Sequence, residues 1–114
     1  MLLLYLTLIM IIIHMLGVLL SFSKRTFPKP IGNLIAVYEM VFYFIIIFSP
    51  IIYINKIILV ISYIYLVIHL IGGITYLKGY LNRLYSVERL KYYGFYELIE
   101  MFYLISILFK MLVT

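Results

Sequence analysis

Residues 2–22 read LLLYLTLIMIIIHMLGVLLSF, an unbroken apolar run whose one titratable group in the middle is His14. An α-helix rises about 1.5 Å per residue, so a run of this length covers roughly the 30 Å of bilayer hydrocarbon. Elsewhere, runs such as Ile45–Ile47 and Ile57–Tyr65 are β-branched or aromatic and would suit strands in water. In lipid an open strand edge leaves backbone groups without partners, so the helix wins. Working outward, residues 34–54, 57–76 and 94–113 follow the same rule. Glu97, Glu100 and Lys110 weaken the last of them. The polar–apolar alternation that a membrane β-barrel requires is absent. The sequence therefore predicts an all-α membrane protein: three transmembrane helices plus a weaker fourth, with residues 1–114 forming a single integral membrane domain.

Composition agrees. Charged residues make up 11 % of the chain, too few to coat a soluble domain, and mean hydropathy is +1.23. The first run has no basic residue before it and no small-residue cleavage site, so it is expected to remain as a helix. With no cysteine, disulfides, thiolate metal sites and thiol catalysis are excluded. Basic residues fall on one side: Lys24, Arg25 and Lys29 in the first loop, and Lys78, Arg83, Arg89 and Lys91 in the third. The opposite side has Lys56 and Lys110. The positive-inside rule then places both termini on the outer, or intermembrane, face. The net charge of +5 is explained by this asymmetry and by lipid headgroups, and it implies no nucleic-acid partner. Isoleucine, phenylalanine, tyrosine and lysine abound while alanine, proline and arginine are scarce. That bias fits AT-rich coding, as in organellar genomes and some prokaryotes.

Local signals divide the chain. Gly17 and Ser21 form a candidate close-packing face. Phe27-Pro28-Lys29-Pro30 is expected to be a stiff extended loop, and Ser49-Pro50 to kink the second span near its outer end. Asn55-Lys56 leaves room only for a tight turn between antiparallel neighbours. Gly72-Gly73 either thins or loosens the third span. Residues 81–92 alternate basic and apolar groups, as a surface helix at the inner boundary would.

Each span also carries an ionisable group in its inner half: His14, Glu39, His69, and Glu97 with Glu100. Hydrocarbon penalises such groups by about 3 kcal/mol or more, which makes the layer a functional candidate. Glu39 and His69 are the expected proton-relay pair. Glu97 and Glu100 read as structural, paired with Lys91 or a neighbouring subunit or reaching to the interface. His14 and His69 on different helices at similar depth could instead ligate a b-type haem. No metal site is expected, because no His-x-x-x-His or Glu-x-x-His spacing occurs.

Three segments resemble the small membrane-arm subunit of respiratory complex I, the 4L or K type. Met15-Leu16-Gly17-Val18-Leu19-Leu20 with Lys24-Arg25 resembles the end of that family's first helix and its basic loop. Leu34-Ile35-Ala36-Val37-Tyr38-Glu39-Met40 is similar to the second helix, which places Glu39 at the relay carboxyl. His69-Leu70-Ile71-Gly72-Gly73 is similar to the third, with His69 where the family has a second glutamate. The first loop is longer than the family's and the fourth span is an addition. The resemblance implies a subunit that is not catalytic alone, within NADH:ubiquinone oxidoreductase in the mitochondrial inner membrane or a prokaryotic plasma membrane. It would lie among other hydrophobic subunits and lipid and contribute to a proton-conducting axis coupled to ubiquinone reduction, with no cofactor of its own. Two alternatives stand beside it: a haem b- or quinone-binding anchor like those of succinate dehydrogenase or cytochrome b-like complexes, and a non-catalytic accessory subunit of a respiratory complex.

Overall fold

The computed structural model describes residues 2–79 and 90–113, apart from the side chain of Ile54. Four α-helices follow one another: α1 (Leu2–Phe22), α2 (Lys29–Ile46), α3 (Lys56–Leu77) and α4 (Leu90–Val113). A 3-10 turn, Pro50–Ile54, joins α2 to α3. No strand occurs among the described residues. α1, α2 and α3 are each long and apolar enough to cross a membrane. α4, at 24 residues, runs antiparallel along α1, from Gly94 beside Ser21 to Met111 beside Thr7.

The predicted first and third spans match α1 and α3 to within a residue at each end, whereas the second does not match α2. α2 begins at Lys29, five residues before the expected 34. Pro28 is its N-cap, with φ −54° and ψ 145°, and Pro30 lies in the first turn. A first-turn proline costs nothing there, because its missing N–H is one of the helix's unpartnered donors anyway. The Phe27–Pro30 stretch is therefore extended only up to Pro28. At the other end α2 stops at Ile46 instead of running kinked to 54. Pro50 has no N–H to return to the Ile46 carbonyl, so the regular ladder cannot continue through it. The chain rewinds as the 3-10 turn, whose start is capped by Ser49 Oγ accepting from the Ile51 N–H at 3.4 Å. Asn55 Oδ1 then accepts from the Ile57 N–H at 2.8 Å and starts α3 without delay.

α3 stays helical through Gly72-Gly73. α4 starts at Leu90, four residues before the expected 94. The surface helix expected over 81–92 lies mostly outside the described residues, and its last three positions belong to α4. α1 closes with a Schellman turn: the Arg25 N–H donates to Leu20 O at 2.8 Å and the Lys24 N–H to Ser21 O at 3.1 Å. Lys24 takes the left-handed position, φ 60°.

The bundle buries a band of polar groups within an apolar core and turns an apolar surface outward. α1 buries Thr7, Met10, His14, Gly17 and Ser21, spaced alternately three and four apart. That spacing is the seam of a left-handed helix pair. Its exposed positions include Leu8, Ile12, Met15 and Leu19, and similar Ile, Val and Phe side chains face outward from the other helices. The buried set includes Ser62, His69, Glu97 and Glu100. α1 packs chiefly on α4, and α2 on α3. Toward the termini the interior is dry, filled by Met10, Phe42, Ile46, Ile52, Leu104 and Ile107.

At the end of the bundle that carries the basic residues, Lys29 pins α2 to α3. Its Nζ donates to the Tyr76 carbonyl and lies 3.6 Å from the centre of the Tyr76 ring. Gly32 makes room for that ring, since a Cβ there would fall 1.9 Å from the Tyr76 hydroxyl. Gly32→Ala is expected to destabilise the protein by about 1–3 kcal/mol through overpacking, read as a lower unfolding temperature in detergent. Gly72→Ala, whose Cβ would meet nothing within 4 Å, is expected to leave that temperature unchanged or raise it.

Candidate functional site

The four helices converge on Glu100. On a rise of about 1.5 Å per residue, His14, Glu39, His69 and Glu100 all lie about 12–15 Å from the basic ends of their helices. They are thus level with one another. Glu39 is deeper than the sequence suggested, because α2 starts earlier. The seam that buries Gly17 and Ser21 of α1 against Gly94 of α4 brings those two backbones close, so His14 and the two α4 glutamates meet across it.

Glu100 is fully buried. Its Oε2 accepts a hydrogen bond from the Tyr43 hydroxyl at 2.7 Å. The same oxygen lies 2.6 Å from His14 Nε2 and 3.2 Å from His69 Nε2. One carboxylate oxygen therefore contacts side chains from α1, α2 and α3. Two further carboxyls flank it: Glu97 Oε2 is 3.1 Å from His14 Nε2, and Glu39 Oε2 is 3.0 Å from His69 Nε2. The result is a continuous series, Glu39–His69–Glu100–His14–Glu97, with no step longer than 3.2 Å.

The backbone fixes both imidazoles in the same way. His14 Nδ1 is 2.9 Å from Met10 O, and His69 Nδ1 is 2.8 Å from Tyr65 O, each four residues back along its own helix. A carbonyl can only accept, so each Nδ1 carries a proton. Each Nε2 is left facing carboxylate oxygens. When the imidazole is neutral that nitrogen offers a lone pair, and when charged it offers a proton. Either way one proton is shared between each ring and its acid partner, and the unpaired alternative would be very costly in this setting.

Tyrosines wall the cluster. Tyr43 stacks on His69, with ring centres 4.6 Å apart, and on Tyr65 at 5.8 Å. Tyr65 contacts Tyr103 at 4.9 Å, and the Tyr103 hydroxyl bonds Ser62 Oγ, tying α3 to α4. Toward the basic end a cavity of about 760 Å³ reaches the cluster, lined among others by Arg25, Lys29, Glu39, His69, Tyr76 and Glu97. His14 and Glu100 lie behind that lining.

The predicted relay pair, Glu39 and His69, is thus in direct contact. His14 joins them through Glu100. Glu97 and Glu100, read as structural, are both buried and both contact His14, while Lys91, one of their expected partners, lies over the Tyr92 ring, 5.2 Å from its centre. A signal for the inward orientation of Glu97 is present in the chain. Leu90, Gly94, Glu97 and Leu104 recur at helical spacing, and Gly94 marks the face that meets another backbone. The haem arrangement needs the two Nε2 atoms on opposite sides of a macrocycle. Here Glu100 Oε2 occupies the space between them.

No protein-family model matches the chain, and no curated protein or solved structure matches it either.

Removing the Tyr43 hydroxyl tests how far the cluster holds the helices together. Tyr43→Phe deletes one charge-assisted donor to a buried carboxylate and is expected to cost about 1.5–3 kcal/mol. Reversible unfolding in mixed micelles reads the loss, and a variant as stable as the parent would show that Glu100 does not depend on that bond.

Proposed function

We propose that this chain is a membrane subunit that stores and passes protons through Glu39, His69, Glu100, His14 and Glu97. The unbroken series of contacts between acids and imidazoles carries the reading. Each neighbour pair shares a proton-accepting and a proton-donating site at hydrogen-bond range, which is the arrangement a relay needs. Glu39 and Glu97, the two ends of the series, line the cavity at the basic end, where water can reach them.

A lateral direction of transfer is supported by the packing. Toward the termini the interior is filled mainly by apolar side chains, whereas the acids and imidazoles lie side by side on α2, α3, α4 and α1. Because both ends of the series line one cavity, protons enter and leave it through the water there, and in this reading a neighbouring chain exchanges protons with the cluster at that end. Four transmembrane helices with both termini on the outer face fit this arrangement: α4 accompanies α1 along its length, and the basic residues gather at the inner end. The resemblance of residues 10–77 to the small membrane-arm subunit of complex I gives the assembly this reading favours, a lateral proton path coupled to ubiquinone reduction. His69 then stands in for the family's second glutamate by pairing with Glu39.

In the assembled complex, Glu39→Gln is expected to lower coupled proton translocation several-fold while the subunit still incorporates. Proton uptake in reconstituted vesicles, with assembly confirmed on native gels, is the measurement. Full translocation in an assembled Glu39→Gln complex would assign the chain a structural role instead.

A further inference from the structure

The same cluster carries a second capacity that goes beyond proton transfer. We infer that His14, His69 and Glu100 form a binding site for one divalent transition-metal ion, with Glu39 and Glu97 as flanking carboxylates. His14 Nε2, His69 Nε2 and a Glu100 carboxylate oxygen all lie within 4.8 Å of one another, and all three residues are buried. A tetrahedral zinc ion holds neighbouring donors roughly 3.3 Å apart. The observed contacts of 2.6 and 3.2 Å are near that figure and the third pair of donors lies within 4.8 Å, so side-chain adjustment admits the ion.

Three independent features point to a ligand. Both histidines donate Nδ1–H to a backbone carbonyl, the outer contact that fixes a metal-binding imidazole with Nε2 as its lone-pair nitrogen. His14 Nε2 and the Glu100 carboxylate are fully buried and face one another at 2.6 Å, with Glu97 Oε2 3.1 Å from the same nitrogen, so an imidazole nitrogen and two acids converge inside the protein. Lastly, the cavity at the basic end gives an ion access to His69 and Glu39, and a water a place at an open coordination position. Two imidazole nitrogens with carboxylate oxygens suit zinc, iron(II), manganese or cobalt, and exclude a preference for soft copper(I). A divalent ion carries the charge of the two protons it displaces, so it enters without adding net charge to the buried group.

The sequence hides this site because its donors come from different helices, so no short spacing motif records it. The inference uses the relay residues but does not rest on their moving protons, and it is tested without turnover.

The test is cobalt(II) titration of the purified full-length protein in lipid nanodiscs after chelator treatment, followed by visible absorption. One equivalent per chain with saturable d–d bands, displaced by zinc, is expected. His69→Gln and Glu100→Gln are each expected to weaken binding by about tenfold or more. Ser106→Ala, on the exposed face of α4, is expected to bind as the parent does. X-ray absorption of the zinc-loaded parent keeps the inference falsifiable if a variant does not fold, with two imidazoles expected in the zinc shell. Absence of saturable bands in the parent overturns the inference. So does a zinc shell without imidazole, or binding undiminished in both folded variants, which would mark an adventitious surface ion only.

Discussion

One oxygen atom organises this bundle. Glu100 Oε2 receives the Tyr43 hydroxyl and stands against both histidines, so α1, α2 and α3 all meet α4 through it. The helices pack chiefly as two pairs, α1 with α4 and α2 with α3, and the Tyr103–Ser62 and Tyr38–Leu6 hydrogen bonds also cross between them. Contacts at Glu100 join one pair to the other. In a medium of low dielectric such contacts strengthen, and the cost of leaving any member unpaired rises with them. The cluster is therefore all or nothing: truncating one group strands the others inside the protein.

Apolar packing alone could not choose this arrangement. Lipid tails are as apolar as isoleucine, so an outward-facing Ile, Leu or Val gains little by turning inward. What distinguishes one helix face from another is the position of small and polar residues. α1 places Thr7, His14, Gly17 and Ser21 on one seam, and α4 answers with Gly94, Glu97 and Glu100. Gly94 allows the backbones to approach, Ser21 meets it, and the acids then fall opposite His14. Register, rather than affinity for lipid, is what these residues determine.

Much of the architecture could be read from the chain, and the failures have physical causes. α1 was legible to the residue because lipid thickness sets its length and no proline interrupts it. Proline moves both α2 boundaries from where the sequence puts them: Pro30 fits the first turn, where prolines are compatible with a helix, and Pro50 breaks the ladder instead of bending it. The inner-half layer of His14, Glu39, His69 and the Glu97/Glu100 pair is visible in the sequence as an energetic anomaly. Glu100 was undervalued because it sits beside Glu97 near a basic loop, where a long acid can reach the interface. Only three-dimensional packing shows that its face is turned toward two histidines and a tyrosine. Tyr43 was hidden for a similar reason: on sequence alone a tyrosine among thirteen carries no mark of its role.

The shared carboxylate is accessible to direct observation in bilayers. Solid-state NMR on protein carrying 13C-labelled glutamate and 15N-labelled histidine reports both proximity and protonation at the cluster. A carboxyl carbon within dipolar range of both His14 Nε2 and His69 Nε2, assigned to Glu100 through its glutamine variant, is the predicted result, with both Nδ1 atoms protonated. A Glu100 carboxyl with no coupling to either ring, or histidines whose Nδ1 lacks its proton, would contradict the account.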